Sequence, residues 1–160
     1  MCPIIFPVTY QCNLMCSYCR ERLKKTIIDV EASLNSIRSL DNPWVYITGG
    51  EPLLLPNIFS ICDRLRAMGK KVGLTTNGTI PNQGIVEHVD RLGISIDGAE
   101  DLHDRNRGSG TWKLAIDFAK RVIGKVETVL MATVLSEDYT ELRSIYGSIG
   151  FSHLQITKVI

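Results

Sequence analysis

Three cysteines stand within eight residues in CNLMCSYC, residues 12–19, at the spacing Cys-x3-Cys-x2-Cys. Thiolates are soft donors that suit zinc and iron-sulfur clusters, and a purely structural site of either kind commonly takes four protein ligands. Cys12, Cys16 and Cys19 supply three. Two chemistries are open to such a set. In one, a structural zinc knuckle is completed by His88, His103, His153 or the distant Cys2, although no second ligand pair follows at a customary spacing. In the other, a cubane cluster is held at three irons and keeps its fourth open for a substrate or cofactor. The chain has five cysteines, an odd count, and three crowded together make a poor disulfide framework in a chain of 160 residues, which can bury a core without staples. A reducing compartment is implied, and the expectation is a cytoplasmic protein.

Other polar groups gather where strands should end. GGEP, residues 49–52, follows the apolar WVYIT, so the backbone of Gly49 and Gly50 can approach a ligand with no side chain in the way. Glu51 is then either an acceptor for a cationic amino group or a solvated loop carboxylate. In TTNG, residues 75–78, Asn77 and Gly78 read as a plain turn pair. In LGISID, residues 92–97, Ile94 and Ile96 face one side while Ser95 and Asp97 face the other. Two polar residues on an inward face are costly unless they bind something, such as the hydroxyls of a sugar, or are satisfied by a neighbouring strand or a water. HDRNRGSG, residues 103–110, reads as a polar loop in which Arg105 and Arg107 can clamp a carboxylate.

The elements that must position these groups alternate. Strand signals cover residues 4–10, 44–48, 71–76, 92–97, 126–134 and 153–160, each short and rich in β-branched or aromatic residues. Helix signals lie between them. Asp29 caps a segment with Val30, Leu34 and Ile37 on one face, and Pro56 opens a segment carrying Ile58, Ile61, Cys62, Leu65 and Met68 that Gly69 stops. A short segment begins at Pro81. A fourth runs from Thr111 through Trp112, Ala115, Ile116, Ala119 and Ile123, and a fifth begins at Ser136 and buries Leu142, Ile145 and Ile149. Cys62, Trp44, Trp112 and Met131 read as core. Strict βα alternation predicts an α/β fold with a parallel sheet, either open and doubly wound or a partial barrel. In both, the carboxyl edge of the sheet is the functional edge. The cysteines, GGEP, TTNG and SIDG all fall there.

Composition narrows the class. Hydrophobic residues make up 44% and charged residues 22%, with a formal charge of +1 and the lysines and arginines scattered among acids. That is one ordinary globular domain, residues 1–160, with no electrostatic footprint for DNA. No apolar run reaches the roughly 18 residues of a membrane span, and the N-terminal residues lack the pattern of a signal peptide. Serine-triad, nucleophile-elbow and Walker patterns are also missing.

Taken together, Cys12, Cys16 and Cys19 with Tyr18 before the last cysteine, GGEP on the second strand, TNG on the third and SIDG on the fourth resemble the radical S-adenosylmethionine superfamily. The resemblance implies a six-stranded partial (β/α)6 TIM-type barrel. It also implies one 4Fe-4S cluster on the three cysteines, with S-adenosylmethionine chelated through its amino and carboxylate groups to the open iron. By the family pattern, Gly49, Gly50 and Glu51 receive the methionine amino group, Ser95 and Asp97 contact the ribose or nearby polar groups, Tyr18 packs close to the adenine, and Arg107 meets the methionine carboxylate. The implied activity is reductive cleavage of S-adenosylmethionine to a 5'-deoxyadenosyl radical that abstracts hydrogen from a substrate, with flavodoxin or ferredoxin as the low-potential electron donor.

The stretch SIDGAEDLHDRNRG, residues 95–108, is similar to the peptide- and protein-modifying (SPASM-type) branch, which implies a peptide or protein substrate. Only Cys2 and Cys62 remain beyond the motif, so auxiliary clusters of that branch are not expected. The small size also resembles glycyl-radical activating enzymes and 7-carboxy-7-deazaguanine synthases. Outside enzymes, the competing expectation is a non-catalytic zinc- or cluster-binding module. The sequence ends on its sixth strand, so an edge alternating Leu154, Ile156 and Ile160 is expected, covered by a partner protein, a second copy in a homo-oligomer or a large substrate.

Overall fold

A computed structural model of the chain describes residues 2–20, 26–134 and 139–158. Six strands form one sheet in the order β1-β2-β3-β4-β5-β6, and every neighbouring pair is parallel. They are β1 (Ile4–Thr9), β2 (Trp44–Gly49), β3 (Lys71–Thr76), β4 (Arg91–Ser95), β5 (Glu127–Val134) and β6 (His153–Lys158). Because sequence order equals spatial order, each crossover steps one strand in the same direction, which is the winding of an unclosed barrel. The expected partial (β/α)6 barrel is the fold observed.

Most of the helices form where the sequence signals place them. In α1 (Val30–Arg38) the Asp29 carboxylate accepts from the Ala32 N–H at 2.9 Å, and Leu34 and Ile37 are buried. Next, α2 (Ile58–Ala67) buries Ile58, Ile61, Cys62 and Leu65. It starts two residues after Pro56, with Asn57 as its cap residue, and Gly69 ends it at φ +77°. The segment after Pro81 is a short 3-10 helix over Gln83–Glu87. Then follow α3 (Glu100–Arg107), α4 (Thr111–Val122) and α5 (Thr140–Ile149). The expected start of the fifth helix at Ser136, and the end of the sixth strand at Ile160, lie outside the described residues.

Two expectations are corrected. HDRNRGSG is not a loop: residues through Arg107 belong to α3, whose polar face is taken up by specific partners described below. Neither Met131 nor Trp44 is in the helix-packed core. That core joins Phe6, Val8, Val45, Ile47, Val72, Leu74, Leu92, Ile94 and Leu130 to the helices. The register puts Met131 opposite Ser95, on the other, inner face, where the thioether lies over Gly93 and accepts from the Thr75 hydroxyl at 3.4 Å. At the amino end of the strands this inner face is filled by a polar cluster. Arg91 donates to the Tyr46 hydroxyl and to Glu127, both at 2.7 Å, with its guanidinium 4.9 Å from the Trp44 ring centroid, and Glu127 also pairs with His153. The carboxyl end is left open for a site.

Candidate functional site

The root of the cysteine loop is fixed by the GGEP turn. A register shift in β1 between Pro7 and Thr9 marks a bulge, after which the Gly50 N–H donates to the Thr9 carbonyl at 2.7 Å and the Glu51 N–H to the Gln11 carbonyl at 2.8 Å. Both glycines are required by the same crowding. A Cβ at Gly49 would lie 2.1 Å from the Thr9 carbonyl oxygen, and one at Gly50 would lie 2.0 Å from that of Gln11. The glycines thus admit the backbone that leads into Cys12. Parallel pairing is carried past the strand ends to the residue before the first cysteine.

Beyond that root, Cys12, Cys16 and Cys19 border one pocket, with Tyr18 on its wall. The opposite walls are the strand exits: Thr48, Gly49 and Gly50 from β2, Thr75, Thr76 and Asn77 from β3, Ser95 from β4, and Arg107 from α3. All three thiols are free. Burial pushes the Cys12 thiol up, opposed by the Leu14 N–H at 3.4 Å and the Asn77 amide at 3.8 Å from its sulfur. Burial also pushes Cys16 up, and the Arg107 cation draws it back.

Of the residues expected at the site, Tyr18, Gly49, Gly50, Ser95, Arg107 and the three cysteines are brought together around this pocket. Glu51 and Asp97 are not on its wall, because both carboxylates are turned into the protein. Glu51 is 0% exposed. It accepts from the Leu53 N–H at 3.0 Å, the Thr76 hydroxyl at 2.8 Å and the Asn77 N–H at 2.7 Å. Burial raises its pKa against these three donors. Asp97 is 1% exposed and accepts from the Tyr18 hydroxyl at 2.6 Å, from Arg107 Nε at 2.9 Å and Nη2 at 2.8 Å, and from the Thr133 N–H at 3.1 Å. The clamp expected of Arg107 is therefore made to an internal carboxylate through Nε and Nη2, while the residue still borders the pocket. Arg105 is exposed.

Asn77 is more than a turn residue. Gly78 does take the turn, at φ +74°, but the Asn77 amide donates to Asn13 Oδ1 at 2.9 Å and reaches the Cys12 sulfur, while Asn13 donates to the Thr79 hydroxyl at 2.8 Å. Two asparagines far apart in sequence hold the cysteine loop to the β3 exit. The sequence signal was only their placement just after a strand and just after a cysteine.

The histidines do not complete a zinc knuckle. His88 pairs with Asp63 at 2.8 Å and stacks on Phe59, and His153 pairs with Glu127 at the far end of the strands. His103 is fully buried and accepts the Asp97 N–H. Among the described residues, no three His, Cys, Asp or Glu side chains converge as a single metal ion requires. In an iron-sulfur cluster each thiolate meets its own iron, and the donor set of three separate thiols on one loop fits that group.

Comparison with known proteins agrees with this geometry. The sequence profile of the Radical SAM superfamily matches residues 6–148. The chain is 35% identical over 118 residues to the AdoMet-dependent heme synthase of Methanosarcina barkeri, covering 66% of this chain and 34% of that protein. It is 30% identical over 153 residues to the 7-carboxy-7-deazaguanine synthase of Halobacterium salinarum, covering 88% and 55%. Among solved structures, Streptococcus suis SuiB bound to precursor peptide SuiA superposes with a TM-score of 0.81 at 17% identity, covering 98% of this chain and 39% of that one. The chain thus spans about a third to about half of the length of these relatives.

Proposed function

The chain belongs to the radical SAM superfamily, and from that premise we propose that it is a radical enzyme whose Cys12, Cys16 and Cys19 hold one 4Fe-4S cluster and whose adjoining pocket holds S-adenosylmethionine. Superfamily membership implies both an iron-sulfur cluster and S-adenosylmethionine. When bound, these groups supply one-electron cleavage of a carbon-sulfur bond and a 5'-deoxyadenosyl radical that abstracts hydrogen from substrate. The observation that carries the proposal is the meeting of three free thiols and four strand exits at one pocket.

This chain's own part is to bind, orient and shield. The Gly49-Gly50 backbone and Thr48 form the wall for the methionine amino end, Arg107 offers its remaining N–H groups to the methionine carboxylate, Ser95 faces the ribose, and Tyr18 sits beside the adenine. Glu51 and Asp97 act one step back, by fixing the turns that carry these groups. A flavodoxin or ferredoxin is the proposed electron donor and the cytoplasm the proposed location; among the described residues no helix is long and apolar enough to cross a membrane.

The substrate class proposed is a peptide or protein, which is supported by the fold shared with SuiB, solved with a precursor peptide. A ring-containing small molecule is the second reading, favoured by the heme synthase and deazaguanine synthase relatives. Anaerobic reconstitution tests the core of the proposal. The chain should take up about four irons, as its cluster type requires, and release 5'-deoxyadenosine when reduced with S-adenosylmethionine. Cys16→Ala should lose the iron, while Cys62→Ala, a core change in α2, should keep it. A colourless protein that binds only zinc, or equal iron loss in both variants, would refute the assignment.

A further inference from the structure

Asp97 holds Tyr18 and Arg107 in place, and something must in turn hold Asp97, which lies beyond the end of β4. The last ladder bond there is from the Ile96 N–H to the Met131 carbonyl at 2.9 Å. The next N–H, that of Asp97, turns away from the sheet and donates to His103 Nδ1 at 3.2 Å. An imidazole that accepts at Nδ1 is neutral and carries its hydrogen on Nε2. Among the described residues, that Nε2 is buried with no partner. Such a donor is costly, and an apolar side chain would avoid the cost if only packing were needed.

We propose that His103 is a positioning residue for the cysteine loop: by accepting the Asp97 N–H it fixes the carboxylate that anchors Tyr18 and Arg107, and so seats Cys16 and Cys19 against the pocket. His103 and Arg107 are four residues apart on α3, hence on one face. They grip the same aspartate from two sides, one at its backbone and one at its carboxylate. On the carboxylate side, the Tyr18 hydroxyl at 2.6 Å comes from the residue between Ser17 and Cys19. A second tie runs from the Ser17 N–H to the Asn106 carbonyl of α3 at 2.9 Å. The Arg107 guanidinium also lies 5.7 Å from the Tyr18 ring centroid. Burial and the Arg107 cation lower the His103 pKa to about 4, which keeps Nδ1 an acceptor at neutral pH.

This inference takes its functional meaning from the cluster assignment above, but its test uses the chain without cluster or cofactor. The probe is iodoacetamide labelling of the reduced chain under anaerobic conditions, with rates at Cys16 and Cys62 read by peptide mass spectrometry. Cys16 is 8% exposed on the loop, and Cys62 is 0% exposed in α2, where it reports on the core. His103→Leu should raise the Cys16 rate about tenfold, the equivalent of one lost buried hydrogen bond, with the Cys62 rate unchanged. His103→Asn keeps an acceptor near the place of Nδ1 and should return Cys16 to within about threefold of wild type. The proposal is overturned if Leu leaves Cys16 within about twofold of wild type, if Asn protects no better than Leu, or if Cys62 rises in parallel. Failure of the wild-type chain to bind S-adenosylmethionine would sink the proposed function and leave this result standing.

Discussion

Replacing Glu51 with glutamine separates a ligand contact from a structural staple. The carboxylate takes two donors on Oε1, the Leu53 N–H and the Thr76 hydroxyl, and one on Oε2, the Asn77 N–H. Glutamine has one acceptor oxygen and one NH2 group. If the oxygen replaces Oε1, the NH2 faces the Asn77 N–H. If it replaces Oε2, the NH2 faces the Leu53 N–H, while the Thr76 hydroxyl can rotate to accept. In either pose one backbone N–H beside a fully buried side chain is orphaned, which costs about 1–3 kcal/mol. Relief of the buried charge offsets part of that, since burial already raises the Glu51 pKa. The expected net loss is about 1–2 kcal/mol in the unfolding free energy of the chain without cofactors, read from urea denaturation at pH 7 with an unchanged slope. Were Glu51 a side chain facing the pocket, the cofactor-free chain would change by less than about 0.5 kcal/mol, and only S-adenosylmethionine binding would weaken. An unfolding midpoint equal to wild type would therefore refute the staple.

Two further outcomes follow from local geometry. Gly50→Ala would drive a Cβ into the Gln11 carbonyl at 2.0 Å and should cost about 3 kcal/mol or more with reduced iron uptake, whereas Gly147→Ala, in α5 with no other described residue within 4 Å of the added methyl, should gain about 0.5–1 kcal/mol; equal effects in denaturant titrations would contradict the packing described. For His103 the native pKa of about 4 lies below the ordinary 6.5, so the unfolded chain binds the proton first as pH falls, and stability is lost from about pH 6.5 down toward 4. Against His103→Asn, which lacks this titration and in which shared carboxylate effects cancel, wild type should lose about 2 kcal/mol more between pH 7 and 5; parallel stability curves would show that His103 is not held neutral.

Much of the architecture was legible because it rests on local signals. Asp29 caps α1, the Ile58, Ile61, Cys62 and Leu65 face is buried in α2, and β-branched runs became strands in chain order. The cysteine spacing and GGEP located the pocket for the same reason, since each motif is contiguous. The misplaced parts depend on contacts between residues distant in sequence. Alternation in SIDG correctly sets Ile94 and Ile96 into the core, but it cannot say whether Asp97 meets a ligand or the Tyr18 hydroxyl, 79 positions away. Asn77 likewise looked like half of a turn because its partner, Asn13, lies on another strand exit. The motif HDRNRG read as loop because α3 is almost wholly polar. Four of its residues have partners of their own: His103 accepts the Asp97 N–H, Asp104 accepts the Trp112 and Gly110 N–H groups at the start of α4, the Asn106 carbonyl accepts the Ser17 N–H, and Arg107 clamps Asp97.

The two buried acids have a common cause. A parallel sheet stops making ladder bonds where its strands end, yet this rim must hold several loops in register around one pocket. Backbone N–H groups released there need acceptors out of reach of water. Glu51 gathers the Asn77 N–H and Thr76 hydroxyl at the β3 exit together with its own turn, and Asp97 gathers the Thr133 N–H of β5, the Tyr18 hydroxyl of the cysteine loop and the α3 arginine. Each carboxylate extends the pairing of neighbouring strands by one step past the sheet. The pocket is then walled by small and neutral groups such as Thr48, Gly49, Gly50 and Ser95, together with Arg107, whose charge is paired with Asp97. That division accounts for why neither acid faces the pocket: both carboxylates are occupied by the donors that tie the strand exits, the GGEP turn and the cysteine loop together.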